Sequence, residues 1–130
     1  AKAGSILLIE DDKIVLHANH SLLQTLGYEV IPASDAETAM QWMAASAQAP
    51  GIIISDYRLP GDYNGAELIQ LIRISAGSTI PAIILTGDIS VCDADNQLPD
   101  SSLWLQKPAR VEELLQAINK LLGAQVPSGG

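Results

Sequence analysis

The chain has 130 residues, enough for one ordinary domain and too few for a second, and its 48% hydrophobic and 17% charged content, with no long polar or repetitive tract, reads as globular and soluble rather than disordered. Fifteen acidic residues against seven basic ones give a formal charge of -8, which repels nucleic acid and anionic lipid, so direct binding to either is not expected. No apolar run approaches membrane-spanning length and the one cysteine, Cys92, cannot close an internal disulfide, so a reducing, cytoplasmic setting is expected.

Five short apolar runs alternate with longer segments. After a tail over residues 1–4 comes "SILLI" (5–9), continuously apolar as a strand covered on both faces must be. A helix is predicted from Lys13 to Leu26, with Ile14, Val15, Ala18, Leu22 and Leu26 on one face and Gly27 as a left-handed stop. "YEVIPA" (28–33) is the second strand. "SDAE" then gives a capping box of Ser34 and Glu37 for a second helix, which carries Ala36, Ala39, Met40, Met43 and Ala47 before Pro50 and Gly51 break it. "GIIIS" (51–55) is the third strand, and "GDYNG" turns the chain into a helix from about Gly65 to Ala76 with Leu68, Ile69 and Ile72 inward. "TIPAIILT" (79–86) is the fourth strand. The acidic "ISVCDADNQL" that follows has poor periodicity and predicts a short, irregular helix. "SLWLQ" (102–106) is the fifth strand. The last helix is the clearest, since Val111, Leu114, Leu115, Ile118, Leu121 and Leu122 trace one stripe; residues 124–130 form a tail.

Right-handed crossovers joining five parallel strands give a doubly wound α/β sandwich, one domain over residues 5–123, whose ligands sit at the carboxyl ends of the strands. Glu10, Asp11 and Asp12 follow strand one, Asp56 follows strand three, Thr86, Gly87 and Asp88 end strand four, and Lys107 and Pro108 follow strand five. Carboxylates gathered at one sheet edge repel each other unless a cation compensates, and Mg²⁺ takes oxygen ligands of this kind. A carboxylate beside Mg²⁺ and an ammonium can attack phosphorus, with Lys107 and the Thr86 hydroxyl directed at phosphoryl oxygens and Gly87 leaving room for the donor. Asp12 also suits the cap of the first helix.

"ILLIEDD", "IIISDYRLP", "IILTGD" and "LWLQKPA", in that order and each after its own strand, closely resemble the receiver domain of two-component response regulators over nearly the whole chain. The resemblance implies a flavodoxin-like fold with strand order 2-1-3-4-5. It also implies a module that catalyses its own phosphorylation and slow dephosphorylation rather than an enzyme acting on a separate substrate. Asp56 is then the phosphoacceptor, Glu10 and Asp11 the metal-binding pair, and the Arg58 main-chain carbonyl a further ligand to Mg²⁺. Thr86 and Lys107 are the switch hydroxyl and phosphate-binding lysine, with a cis bond between Lys107 and Pro108. The implied partner is a histidine kinase or histidine phosphotransfer domain, and a homodimer is compatible. Trp104 departs from the pattern, standing where the family carries the Tyr or Phe that turns inward as the threonine moves. "DYRLP" and "LTGD" also resemble receivers fused to the C-terminus of hybrid sensor histidine kinases, which would make the domain the cytoplasmic part of a membrane-bound sensor. Arg58 and Asp88 are expected to pair across the pocket mouth and slow hydrolysis.

Several rival readings fit the residues less well. A haloacid dehalogenase-type phosphatase needs a general acid two residues after its nucleophile, where this chain has Arg58, which cannot donate at neutral pH. A flavin binder would place hydroxyls, not "EDD", after strand one. An interaction module that has abandoned phosphorylation leaves the full chemical set without a task. His17 and His20, at i and i+3, read as solvated or partner-facing side chains rather than metal ligands, and "GDYNG" lacks the Lys-Ser/Thr ending of a phosphate loop.

Overall fold

The computed structural model describes residues 5–88 and 101–123. Five parallel strands, β1 (Ser5–Ile9), β2 (Glu29–Ala33), β3 (Ile52–Asp56), β4 (Ala82–Thr86) and β5 (Ser102–Gln106), form one sheet in the order β2-β1-β3-β4-β5. Four helices are described, α1 (Lys13–Thr25), α2 (Ala36–Ala45), α3 (Gly65–Ala76) and α4 (Val111–Gly123). The expected irregular helix over 89–98, with Cys92, lies outside the described residues, as do both tails.

Side chains alternate across a strand, so each strand feeds two cores. Leu7, Ile9, Ile53, Ala82 and Ile84 pack with Ala39 and Met43 of α2 and Leu68, Ile69 and Ile72 of α3. Ile6, Leu8, Ile52, Ile54, Ile83 and Leu85 face the other way, onto Leu23 of α1 and Leu114, Ala117 and Ile118 of α4. The three central strands are therefore buried on both faces, which is why their sequences read as unbroken apolar runs.

Four local readings are corrected. The buried face of α1 is set by Leu16 and Leu23, while Ile14 is 82% and Leu26 45% exposed. α1 offers two apolar stripes, and the sheet takes the one whose i, i+7 leucines lie deepest. The cap of α2 is Asp35, whose side chain accepts from the Thr38 N–H at 2.7 Å, in place of the Ser34–Glu37 box; an Asp one residue later does the same work at the true helix start. β4 begins at Ala82 because Pro81 has no N–H for the ladder, and β3 runs one residue further than expected, to include Asp56. The cap of α1 is Asp12, as expected, accepting from Ile14 and Val15.

Candidate functional site

Three of the singled-out side chains meet because they continue the same rows. Ile6 and Leu8 lead to Glu10, Ile52 and Ile54 to Asp56, and Leu103 and Leu105 to Lys107, all on the α1/α4 side at the carboxyl edge of the sheet. Lys107 Nζ donates to Asp56 Oδ1 at 2.9 Å and to Glu10 Oε1 at 3.2 Å. The second oxygen of Glu10, Oε2, accepts the Asp12 N–H at 3.1 Å. Main-chain bonds hold the three loops in register, with Glu10 N–H to Ala33 O at 3.0 Å, Tyr57 N–H to Leu85 O at 2.7 Å and Lys107 N–H to Thr86 O at 2.8 Å. The Lys107–Pro108 bond is cis.

Asp56 and Glu10 are 3% and 1% exposed, so the electrostatics are those of two carboxylates sharing one ammonium in a dry place. Burial, and after it the neighbouring Glu10, push the Asp56 carboxyl up to about 8 against the pull of Lys107. Burial also disfavours ionised Glu10, but its hydrogen bonds with Asp56, the Asp12 N–H and Lys107 outweigh that and hold it below the usual range. For Lys107 the penalty of burial is overcome by Asp56 and Glu10, which raise it. Burial and mutual repulsion thus set the two acids apart, with Asp56 the one whose ionised form is disfavoured and Glu10 the one whose ionised form is held.

Asp11 is exposed, and one carboxylate oxygen from each of Glu10, Asp11 and Asp56 can be chosen so that all three lie within 4.8 Å of one another. The cluster opens into a cavity of about 400 Å³ lined by Asp11, Asp56, Arg58, Thr86, Gly87 and Lys107. Hard oxygen donors in this number, with excess negative charge among them, fit Mg²⁺. A Cβ at Gly87 would meet nothing within 4 Å, so this glycine adds room at the cavity rather than relieving a packing clash. Thr86 is 3% exposed, and its hydroxyl is engaged with Asp88, donating to the Asp88 carbonyl at 3.2 Å and accepting its N–H at 3.1 Å. Arg58 Nη2 lies 3.6 Å from Asp88 Oδ2, both side chains well exposed.

Trp104 lies apart from this cluster, on the α2/α3 face, and packs against that core with its ring 5.4 Å from the ring of Tyr57 and tilted by 53°. His17 and His20 line a separate groove with Lys13, Ser34 and Thr38, and among the described residues they join no group of three potential metal ligands. Sequence reasoning missed the supports. Ser55, fully buried, donates to the Asp56 carbonyl at 2.9 Å, and Gly65 N–H bonds the Tyr57 carbonyl at 2.6 Å. A Cβ on Gly65 would run into the Asp56 carbonyl, so only glycine lets α3 start this close to β3. Asn64 caps α3 in a reciprocal box with Glu67, a pattern the "NGAE" stretch displays openly.

A parallel sheet in this order with acids, threonine and lysine on successive strand ends defines a receiver. The chain belongs to the response regulator receiver domain family, whose model matches residues 6–119, and so is a receiver of two-component signalling. It is 33% identical over 125 residues to the protein PilG of Pseudomonas aeruginosa, covering 95% of this chain and 87% of PilG. To the response regulator MprA of Mycolicibacterium vanbaalenii it is 30% identical over 126 residues, covering 96% of this chain. The chain spans about half or less of the first curated relatives, 53% of MprA and 25% of the transport regulator DctD of Rhizobium meliloti. Among solved structures, a receiver protein from Sinorhizobium medicae superposes with a TM-score of 0.81 at 27% identity, over 95% of this chain and 98% of that one. The receiver domain of the hybrid histidine kinase CckA superposes with a TM-score of 0.75 at 28% identity, over 92% and 99%. No described helix is long and apolar enough to cross a membrane.

Proposed function

We propose that this receiver is a phosphoacceptor: Asp56 takes a phosphoryl group, with Mg²⁺, from the phosphohistidine of a histidine kinase or histidine phosphotransfer domain. The observation that carries the reading is the 2.9 Å contact of Lys107 Nζ with the buried Asp56 carboxylate beside Glu10 and Asp11. Glu10, Asp11, Asp56 and the Arg58 main-chain carbonyl are the groups that would hold the ion. When bound, it supplies the positive charge that keeps Asp56 ionised and offsets charge on the phosphoryl oxygens.

The chain's own residues then divide the remaining work. A carboxylate oxygen of Asp56 forms the new bond to phosphorus as the phosphorus–nitrogen bond of the donor breaks and its imidazole leaves with the electron pair. Lys107, already within hydrogen-bond distance of Asp56, passes its ammonium contact to a phosphoryl oxygen. Thr86 exchanges its bond to the Asp88 carbonyl for one to another phosphoryl oxygen, which requires its side chain to turn. Arg58, which lines the cavity and pairs with Asp88, restricts the water that later hydrolyses the acyl phosphate. Residues 5–123 act as the module, in a cytoplasmic parent of the hybrid-kinase kind that the likeness to the CckA receiver supports.

Incubation with acetyl phosphate or phosphoramidate tests this directly. The protein should gain one phosphoryl mass on Asp56 only when Mg²⁺ is present, and Asp56→Asn should gain none. A wild type that stays unlabelled at saturating donor and metal would instead be an interaction module.

A further inference from the structure

The two faces of the sheet divide the site in a way that exposes a second route out of it. Asp56, Glu10 and Lys107 lie on the α1/α4 side, whereas alternation puts Tyr57, one residue after Asp56, and Trp104, three before Lys107, on the α2/α3 side. Thr86 follows Ala82 and Ile84 along β4 and so belongs to the same side as Trp104, whose strand neighbour is Ile84. The indole is half-buried there, tilted against the Tyr57 ring at 5.4 Å. The Tyr57 hydroxyl in turn accepts a hydrogen bond from Asn64 Nδ2 at 3.3 Å, and Asn64 is the cap of α3. Tyr57 also accepts the Gly65 N–H through its carbonyl. One side chain is thus in contact with Trp104 at one end and with the start of α3 at the other. The loop it closes, residues 57–64, supplies Pro60, Gly61, Asp62 and Tyr63 to a groove of about 410 Å³ whose opposite wall is the first turns of α2.

We propose that Tyr57 couples the phosphoacceptor pocket to the β3–α3 loop, so that displacement of Trp104 reshapes the groove between that loop and α2. The proposal rests on the phosphoacceptor reading, because Thr86 lies two residues beyond Ile84, the ladder partner of Trp104, on the same face, so that its turning toward a phosphoryl group changes the surroundings of the indole. An indole leaving the Tyr57 ring removes the contact that fixes the phenol. The phenol is then free to release Asn64, the one side chain that closes the α3 capping box with Glu67. The loop and the groove wall move with it, on the face opposite the carboxylates.

The test combines labelling with hydrogen exchange of residues 57–64, in protein treated with acetyl phosphate and Mg²⁺ and in untreated protein. A Trp42→Phe background leaves Trp104 as the only indole for fluorescence. In the parent protein, loop amides should exchange faster by about threefold on phosphorylation, the scale of losing one aromatic pair, with a shift in Trp104 emission. Tyr57→Leu should still be labelled on Asp56 and still shift Trp104 emission, but its loop exchange should no longer respond. Tyr57→Phe, which keeps the ring, should retain part of the response. A loop that responds equally in Tyr57→Leu, or a labelled parent whose loop does not respond, overturns the coupling. Mass spectrometry separates this from failure of the phosphoacceptor reading, in which Asp56 carries no phosphoryl group and the coupling falls with it.

Discussion

Two cations, Arg73 buried and Lys107 partly so, sit at opposite edges of the sheet and are met there by different groups among the described residues. At the carboxyl edge, the Lys107 ammonium is bonded to two carboxylates, Asp56 and Glu10. At the amino edge, Arg73 of α3 is 7% exposed, and its Nε and Nη2 donate to the Ile80 carbonyl at 2.9 and 2.6 Å. Its Nη2 also reaches the Ser101 carbonyl at 3.4 Å and Ser102 Oγ at 3.3 Å. Arg73 ties a helix to the starts of β4 and β5 through their main chain, which is structural work. Lys107 holds two acids that repel each other, an arrangement with a strained proton balance that another cation can relieve. Among the described residues, then, the Arg73 guanidinium is bound to main-chain carbonyls and a serine hydroxyl, whereas the Lys107 ammonium is bound to two carboxylates.

The sharpest break in that comparison is at the acid itself. Asp56→Asn should abolish labelling by acetyl phosphate while leaving the fold intact, measured by intact mass and circular dichroism together. Lys107→Ala should come next, slowing labelling by about a hundredfold, as loss of a charge-stabilising donor does, with a smaller loss of stability than at Arg73 because the two acids left behind can take up a proton. Arg73→Ala should do the reverse. It should cost about 2–3 kcal/mol in urea unfolding by leaving buried carbonyls short of a donor, while the remaining folded protein is labelled at nearly the parent rate. If both cation variants lost labelling and stability alike, the division of labour between the two edges would be wrong.

The proton held on Asp56 gives a finer test. Its folded pKa of about 8 lies above the ordinary carboxyl value of 3.8 that it takes in the unfolded chain, so the native state binds the extra proton between them. The stability this confers on metal-free protein is complete below about pH 4 and is lost as pH rises to about 8. Glu10, held low, acts in the opposite sense but only below its ordinary value of 4.5, and raised Lys107 only above 10.5. Thermal melting in EDTA should therefore show declining stability from pH 5 to 8, and Asp56→Asn should flatten the decline. Parallel curves would exclude the assignment of the proton. The smallest effect is expected at Arg58→Ala. An exposed ion pair is worth up to about 1 kcal/mol, so decay of the phosphorylated form should quicken by about two- to fivefold, and an unchanged decay rate would remove Arg58 from the mechanism.

The five strands, the last helix and the order of the acids, threonine and lysine were legible because they depend on local pattern. Apolar runs bounded by turn residues mark strands whatever lies beside them, and the Val111–Leu122 stripe has only one apolar face to offer. α1 was misread because it has two, and the choice between Ile14 and Leu16 as the inward residue is made by the sheet. Asp35 displaced Ser34 as a cap because both can accept the bond and the helix start decides between them. Tyr57, Ser55 and Arg73 carried no signal of their own: each matters through a group distant in the chain or through a carbonyl that no side-chain pattern reveals.

What the sequence determined by itself is the alternation of strands and helices and the chemical identity of the groups at the strand ends, since both follow from residue type and period. What only the tertiary structure decided is which side of the sheet each group occupies. That choice placed Asp56, Glu10 and Lys107 in one dry cluster and put Trp104 against Tyr57 on the other side. The reason is physical: burial and mutual distance set the proton balance, and neither exists until the five strands lie side by side.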